Sequence, residues 1–146
     1  MATSNSPPAL TPAPFSRRDG VHLSRLAAHF LRTDDLPSAR ACAALAAALA
    51  PDSYEAQVAF AATSARASDT PRAISAYLRA LNLRPTAGAA WTGLAELYLS
   101  TFDYEKAAGA LRQALLLDRQ GQRPWGRRAR ALAGQALAQL TGRAKT

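Results

Sequence analysis

The chain has little of what catalytic and metal-binding proteins are built from. Its 146 residues include one cysteine, Cys42, and two histidines, His22 and His29. A single cysteine excludes an internal disulfide and any cysteine-rich zinc site. No uninterrupted apolar run reaches about 18 residues, so no segment reads as a membrane-spanning helix. The opening stretch, MATSNSPPALTPAPFSRR, places its basic pair after Pro and Ser residues and has no apolar signal core. It does not read as a secretory signal, and a reducing, cytoplasmic location is the expectation. Aromatic residues make up only 7% of the chain. Acidic residues stop at Asp118.

What is present is alanine and arginine. Alanine occurs 36 times, about a quarter of the chain. It is the best helix former, and with so few aromatics the composition points to an all-α fold. Lys and Arg total 18 against 10 Asp and Glu, a formal charge of +8. That charge is concentrated at one end. Residues 119–146 hold Arg119, Arg123, Arg127, Arg128, Arg130, Arg143 and Lys145 and no acid, while the first 118 residues are nearly balanced.

Residues 1–19 carry Pro7, Pro8, Pro12 and Pro14 and no helical pattern, so a disordered tail is expected there. From Gly20 the chain repeats with a period of 34 residues: Asp35, Asp69 and Asp103; Ala39, Ala73 and Ala107; Ala46, Ala80 and Ala114; Leu49, Leu83 and Leu117. Pro37 and Pro71 share the step, as do Pro51 and Pro85. A fixed period of this size marks stacked supersecondary units. Each unit reads as two helices. The Asp column supplies the N-cap of the second helix. Pro37 and Pro71 then fall in its first turn, where no N–H is missed. Pro51 and Pro85 close it, because the residue before a proline is pushed out of the helical region. The Ala columns lie seven apart on one face and let two helix backbones approach closely.

The third unit carries Trp91, Leu94, Ala95 and Tyr98, then Ala107, Leu111 and Ala114. This resembles the tetratricopeptide repeat, whose first helix reads W-x2-L-G-x2-Y and whose second reads A-x3-F-x2-A. The second copy is clearest at Ala73, Tyr77, Ala80 and Pro85, the first at Leu23, Ala27, Phe30, Ala39, Ala43, Ala46 and Pro51. Trp125, Ala129 and Leu132 continue the register as a lone first-type helix, with Arg128 where an apolar residue is expected. The resemblance implies a right-handed α-solenoid of three helix pairs at 20–53, 54–87 and 88–121. A capping helix follows at 122–141 and a short tail at 142–146.

Few residues suggest chemistry. His22 and His29 share a helix face without a carboxylate or cysteine beside them, and Cys42 sits among alanines as a packing residue. No phosphate-binding loop, nucleophile–base set or carboxylate pair is present. Neither an enzyme nor a cofactor or metal is expected. Binding is the alternative. In tetratricopeptide proteins the first helices line a concave groove, and the matching positions here are Val21, Ser24, Ala28, Leu31 and Arg32; Glu55, Val58, Ala62, Ala65 and Arg66; and Ala89, Thr92, Glu96 and Leu99. That lining suits an extended partner with apolar anchors. One subclass grips a terminal carboxylate through Lys, Asn and Arg. Its positions correspond to Ser24, Ala28, Ala59, Ala89 and Gly93, none of which offers a cation or an amide. Phe30, Phe60, Tyr77, Trp91, Tyr98 and Trp125 are expected to pack between helices. The basic end, Arg119, Arg123, Arg127, Arg128 and Arg130, reads as a solvated face, a site for an acidic protein or, with less support, a nucleic-acid contact. The chain also resembles small type III secretion chaperones for translocator proteins, although those are usually acidic and begin with a dimerising helix. A scaffold in another bacterial assembly is the rival reading.

Overall fold

The computed structural model describes residues 15–144, with side chains through residue 142. Among these residues seven helices follow one another: α1 Arg17–Arg32, α2 Leu36–Leu49, α3 Tyr54–Arg66, α4 Thr70–Leu83, α5 Gly88–Ser100, α6 Tyr104–Leu117 and α7 Pro124–Ala144. Among the described residues there is no strand.

The second-type helices α2, α4 and α6 start as the Asp column implies. Asp35, Asp69 and Asp103 accept from the backbone N–H of Ser38, Arg72 and Lys106 at 3.2, 3.4 and 3.3 Å. They also end in register, at Leu49, Leu83 and Leu117. The third does so without a proline, because Arg119 stands where Pro51 and Pro85 stand. Proline reinforces that stop and does not create it.

The turn between the two helix types is a device with no outward mark in composition. Asp34, Ser68 and Phe102 adopt φ of 61°, 60° and 59°. This is the left-handed region, which costs a non-glycine residue roughly 1–2 kcal/mol. Asp35, Asp69 and Asp103 donate their N–H back to the carbonyls of Phe30, Ser64 and Tyr98 at 2.8, 2.8 and 2.9 Å. These bonds satisfy carbonyls that the helix ends would otherwise leave free.

Both ends depart from the expected boundaries. Helix α1 begins at Arg17, inside the stretch assigned to a 1–19 tail, because Ser16 and Asp19 form a reciprocal capping box. The proline-rich part of that tail, residues 1–14, lies outside the described residues. Helix α7 runs to Ala144 rather than 141. Gln135 and Ala136 stand at its turn positions, and the chain continues as helix. Of the expected 142–146 tail, residues 145–146 lie outside the described residues.

Packing follows the alanine columns. Ala39, Ala43, Ala46, Ala73, Ala80 and Ala114 are fully buried, and Ala107 is nearly so. The Leu column is not core, since Leu83 and Leu117 are largely exposed. Core composition changes along the stack. Around α1 and α2 the buried apolar residues are alanines, Ala27, Ala43, Ala46, Ala50, Ala56 and Ala59. Further on, Tyr77, Leu81, Leu94 and Leu97 fill the α3–α5 layer, and Leu99, Leu111 and Leu132 the α5–α7 layer. Of the six aromatics expected between helices, Tyr77 is buried, while Phe30, Phe60, Trp91, Tyr98 and Trp125 are half-buried. Two of these rings settle on glycines. A Cβ on Gly93 would lie 2.5 Å from the Tyr77 ring, and one on Gly88 would lie 2.1 Å from Trp125.

Candidate partner-binding face

Curvature comes from which helices touch. The first-type helices contact one another, α1 with α3, α5 with α7 and, more narrowly, α3 with α5. Among the described residues no second-type helix contacts another. A stack whose one layer is closed and whose other layer is splayed must bend around the closed layer. The first-type helices therefore form its inner, concave side.

The expected lining divides on that side. Val21, Ala28, Leu31, Val58, Ala62 and Ala65 are half-buried, and Arg32, Glu55, Arg66, Ala89 and Glu96 are exposed. Ser24, Thr92 and Leu99 are buried, which corrects their placement as open lining. The Ser24 hydroxyl turns inward to donate to the Val21 carbonyl at 2.6 Å. Thr92 donates to the Gly88 carbonyl at 2.9 Å and reaches the Trp125 carbonyl at 3.2 Å. Leu99 packs with α6 and α7. All three sit where a neighbouring helix covers them, and the pattern of a single repeat does not carry that neighbour.

Charges on the inner side are mostly committed. Arg66 reaches Asp34 at 2.9 Å, bridging the turn of one repeat to the next. Arg128 reaches Glu96 at 2.5 Å. Arg128 occupies an apolar position of the motif, and the pair explains it: at the last helix that position faces solvent and a carboxylate on α5. Glu55 meets Arg84 at 3.5 Å, and Arg84 lies 4.2 Å over the Tyr54 ring. Glu55 is held below the ordinary carboxylate range, first by its own backbone N–H, then by the Ser53 hydroxyl and Arg84 against the opposing effect of burial. Buried Gln57, in the place that Trp91 holds in the third copy, ties the layers together. It donates to the Pro51 carbonyl at 3.0 Å and accepts from Arg79 at 3.0 Å. Burial pushes the Tyr77 hydroxyl up to about 12, with Glu96 and Tyr54 adding to it.

The five arginines of the basic end are all exposed but not equivalent. Arg128 turns to Glu96. Arg127 donates to the Gln122 carbonyl at 3.1 Å, and Arg130 to the Arg119 carbonyl. Cations crowd the start of α7, where a helix favours negative charge. Buried Asp118 supplies it, accepting from the N–H groups of Arg123 and Gln122 at 2.9 and 3.1 Å. Burial raises its pKa, yet these bonds and nearby Arg130 outweigh that and hold the carboxyl below its ordinary value.

Seven helices in this order, paired by capped turns and bent around their first-type members, make the tetratricopeptide-type right-handed α-solenoid. Solved structures agree. A domain of yeast Sti1 in complex with an Hsp70 peptide aligns with a TM-score of 0.73 at 21% identity, covering 82% of this chain and 98% of that one. The Arabidopsis OM64 domain aligns at 0.75 with 15% identity, covering 84% and 98%. The first such domain of RPAP3 (Spaghetti), bound to the HSP90 peptide SRMEEVD, aligns at 0.71 with 16% identity, covering 85% and 99%. No protein-family model matches the chain, and no curated protein matches it in sequence. Among the described residues no helix is long and apolar enough to cross a membrane.

Proposed function

We propose that the chain is a non-enzymatic adaptor that holds a segment of a partner protein against the concave side of α1, α3 and α5. The observation that carries this reading is the inner lining of small and apolar side chains, with Val58 and Ala62 at its centre and charged residues at its margins. Small side chains such as Ala28 and Ala62 on that side leave room for large apolar anchors on the partner. The Sti1 and RPAP3 domains hold chaperone peptides on the same fold, which supports a peptide ligand here. The ligand itself must differ. At the positions of a carboxylate grip this chain has Ser24, Ala28, Ala59, Ala89 and Gly93, with Gly93 under the Tyr77 ring.

Within this reading, the partner is a secreted client kept soluble by a bacterial secretion chaperone. The chain's three helix pairs and the further helix α7 support that form. Random peptides displayed on phage and selected on the full chain test the adaptor role. Selected sequences rich in large apolar residues, whose affinity falls about tenfold or more in Val58→Glu or Ala62→Glu, are expected. Absence of enrichment, or unchanged affinity in both variants, contradicts it. For the chaperone form, capture from the native host returns a hydrophobic secreted client, and a scaffold instead returns assembly components. Exposed Arg119 and Arg123 favour a second reading, association with nucleic acid. Binding to duplex DNA that falls steeply with salt and is lost in Arg119→Glu/Arg123→Glu supports it, and no binding at low salt removes it.

A further inference from the structure

The strongest feature outside the concave side is a groove of about 510 Å³ between α6 and α7. Its walls include Tyr104, Leu115 and Leu116 from α6 and Ala136, Leu137 and Leu140 from α7. Leu137 is 63% exposed, and Leu116 and Leu140 are nearly half exposed. Such a concentration of open leucines on one rim marks a binding surface more often than a bare exterior.

The repeat explains why the groove is open. Each earlier first-type helix packs against the second-type helix that follows it. Helix α7 is first-type by register and has α5 and α6 on one side, with no second-type helix after it among the described residues. The equivalent space two repeats earlier lies between α2 and α3, where Arg40, Ala43 and Ala44 stand in the places of Ala108, Leu111 and Arg112. That space is smaller, about 280 Å³, and the first turn of α4 walls it with Asp69 and Arg72. Among the described residues nothing supplies that wall at the α6–α7 end, and Leu137 and Leu140 stand in the places of Asp69 and Arg72.

We propose that this groove receives an amphipathic helix from another protein, with an apolar stripe against Leu137 and Leu140 and carboxylates along its flank. A helix is the occupant because the equivalent α2–α3 space is walled by the start of one, α4. The flank is acidic because Arg112 is the one charged side chain among the described residues lining the groove, and because no carboxylate follows Asp118 in the chain. This site stands apart from the concave side, and neither proposal depends on the other.

The test uses the full chain and a fluorescein-labelled synthetic peptide of about 18 residues, with leucines at i, i+4, i+7 and i+11 and glutamates beside them. A second peptide has lysines in place of the glutamates. Fluorescence anisotropy is expected to show saturable binding of the glutamate peptide and much weaker binding of the lysine peptide. L137E/L140E changes exposed residues, so helicity at 222 nm is retained while affinity falls about tenfold or more. R112E narrows the difference between the two peptides, and Val58→Glu leaves both unchanged. No binding of the glutamate peptide, equal binding of both peptides, or an unaltered affinity in L137E/L140E overturns the proposal. So does self-association in sedimentation velocity that L137E/L140E abolishes, which would make the occupant a second copy. Binding to phosphatidylglycerol vesicles that the same variant abolishes would assign the leucines to a membrane surface and overturns it too.

Discussion

Leu94 is the side chain on which the α3–α5 layer turns, and Leu94→Ala tests how the stack is held together. It is 2% exposed. Its buried neighbours in the layer include Ala61, Ala73, Ala76 and Ala90. Replacing a buried leucine by alanine costs about 2.7–5.0 kcal/mol, the lower values arising where surrounding side chains relax into the space. Methyl groups fixed to helix backbones have no rotamers with which to relax, whereas Tyr77, Leu81 and Leu97 in the same layer do, so the middle of that range applies here, about 4 kcal/mol. For a chain of this size each kcal/mol lowers the melting temperature by roughly 3 °C, so a fall of about 12 °C is expected. Urea unfolding followed by circular dichroism at 222 nm gives the free energy, and a thermal scan gives the shift. A loss below about 1.5 kcal/mol would show that the layer collapses around the gap and that the inner side is neither rigid nor closely packed.

Four further outcomes follow from particular contacts. Gly88→Ala places a methyl 2.1 Å from the Trp125 ring, so it should loosen α7 and cost about 1–3 kcal/mol, with a change in tryptophan emission; an unshifted spectrum and melt would contradict that contact. Ser68→Gly relieves a φ of 60° and should stabilise by roughly 0.5–1 kcal/mol after the gain in unfolded-chain freedom, measured by urea midpoint. Asp118 has a folded pKa below its ordinary 3.8, so its contribution is present above that value and lost as pH falls through the folded pKa. Wild type should therefore exceed Asp118→Asn in stability at neutral pH, and the gap should close below about pH 4; a gap constant down to pH 2 would refute the capping role. Amide exchange should be fastest in α1 and α2, whose buried apolar residues are alanines, and slowest in α5 and α6; equal protection along the stack would refute the graded core.

The period and the caps were legible because they depend on local rules. An aspartate at the same step three times, and a proline two residues later in two of those copies, say where α2, α4 and α6 begin. The turns at Asp34, Ser68 and Phe102 were not legible, because no glycine announces the left-handed residue and the returning backbone bond holds it. On the candidate face, Val58, Ala62 and Ala28, named from the motif, are half-buried on first-type helices. Ser24, Thr92 and Leu99 are buried instead, since each is covered by a hydrogen bond or a neighbouring helix that a single repeat does not encode. Arg128 looked like a broken motif and is a cross-helix ion pair. The α6–α7 groove was invisible for a related reason: α7 reads as a cap by its register, while its open leucines arise only because it continues past the point where a repeat would turn.

The central claim is that the inner side of the first-type helices holds a partner segment. Titrating a phage-selected peptide into isotopically labelled full-length chain and following its amide spectrum tests this most directly. Shifts confined to α1, α3 and α5 around Ala28, Val58 and Ala62, and absent from the outer faces of α2 and α4, are the predicted result. Shifts centred on the outer helices, with the inner residues unmoved at saturation, would contradict it.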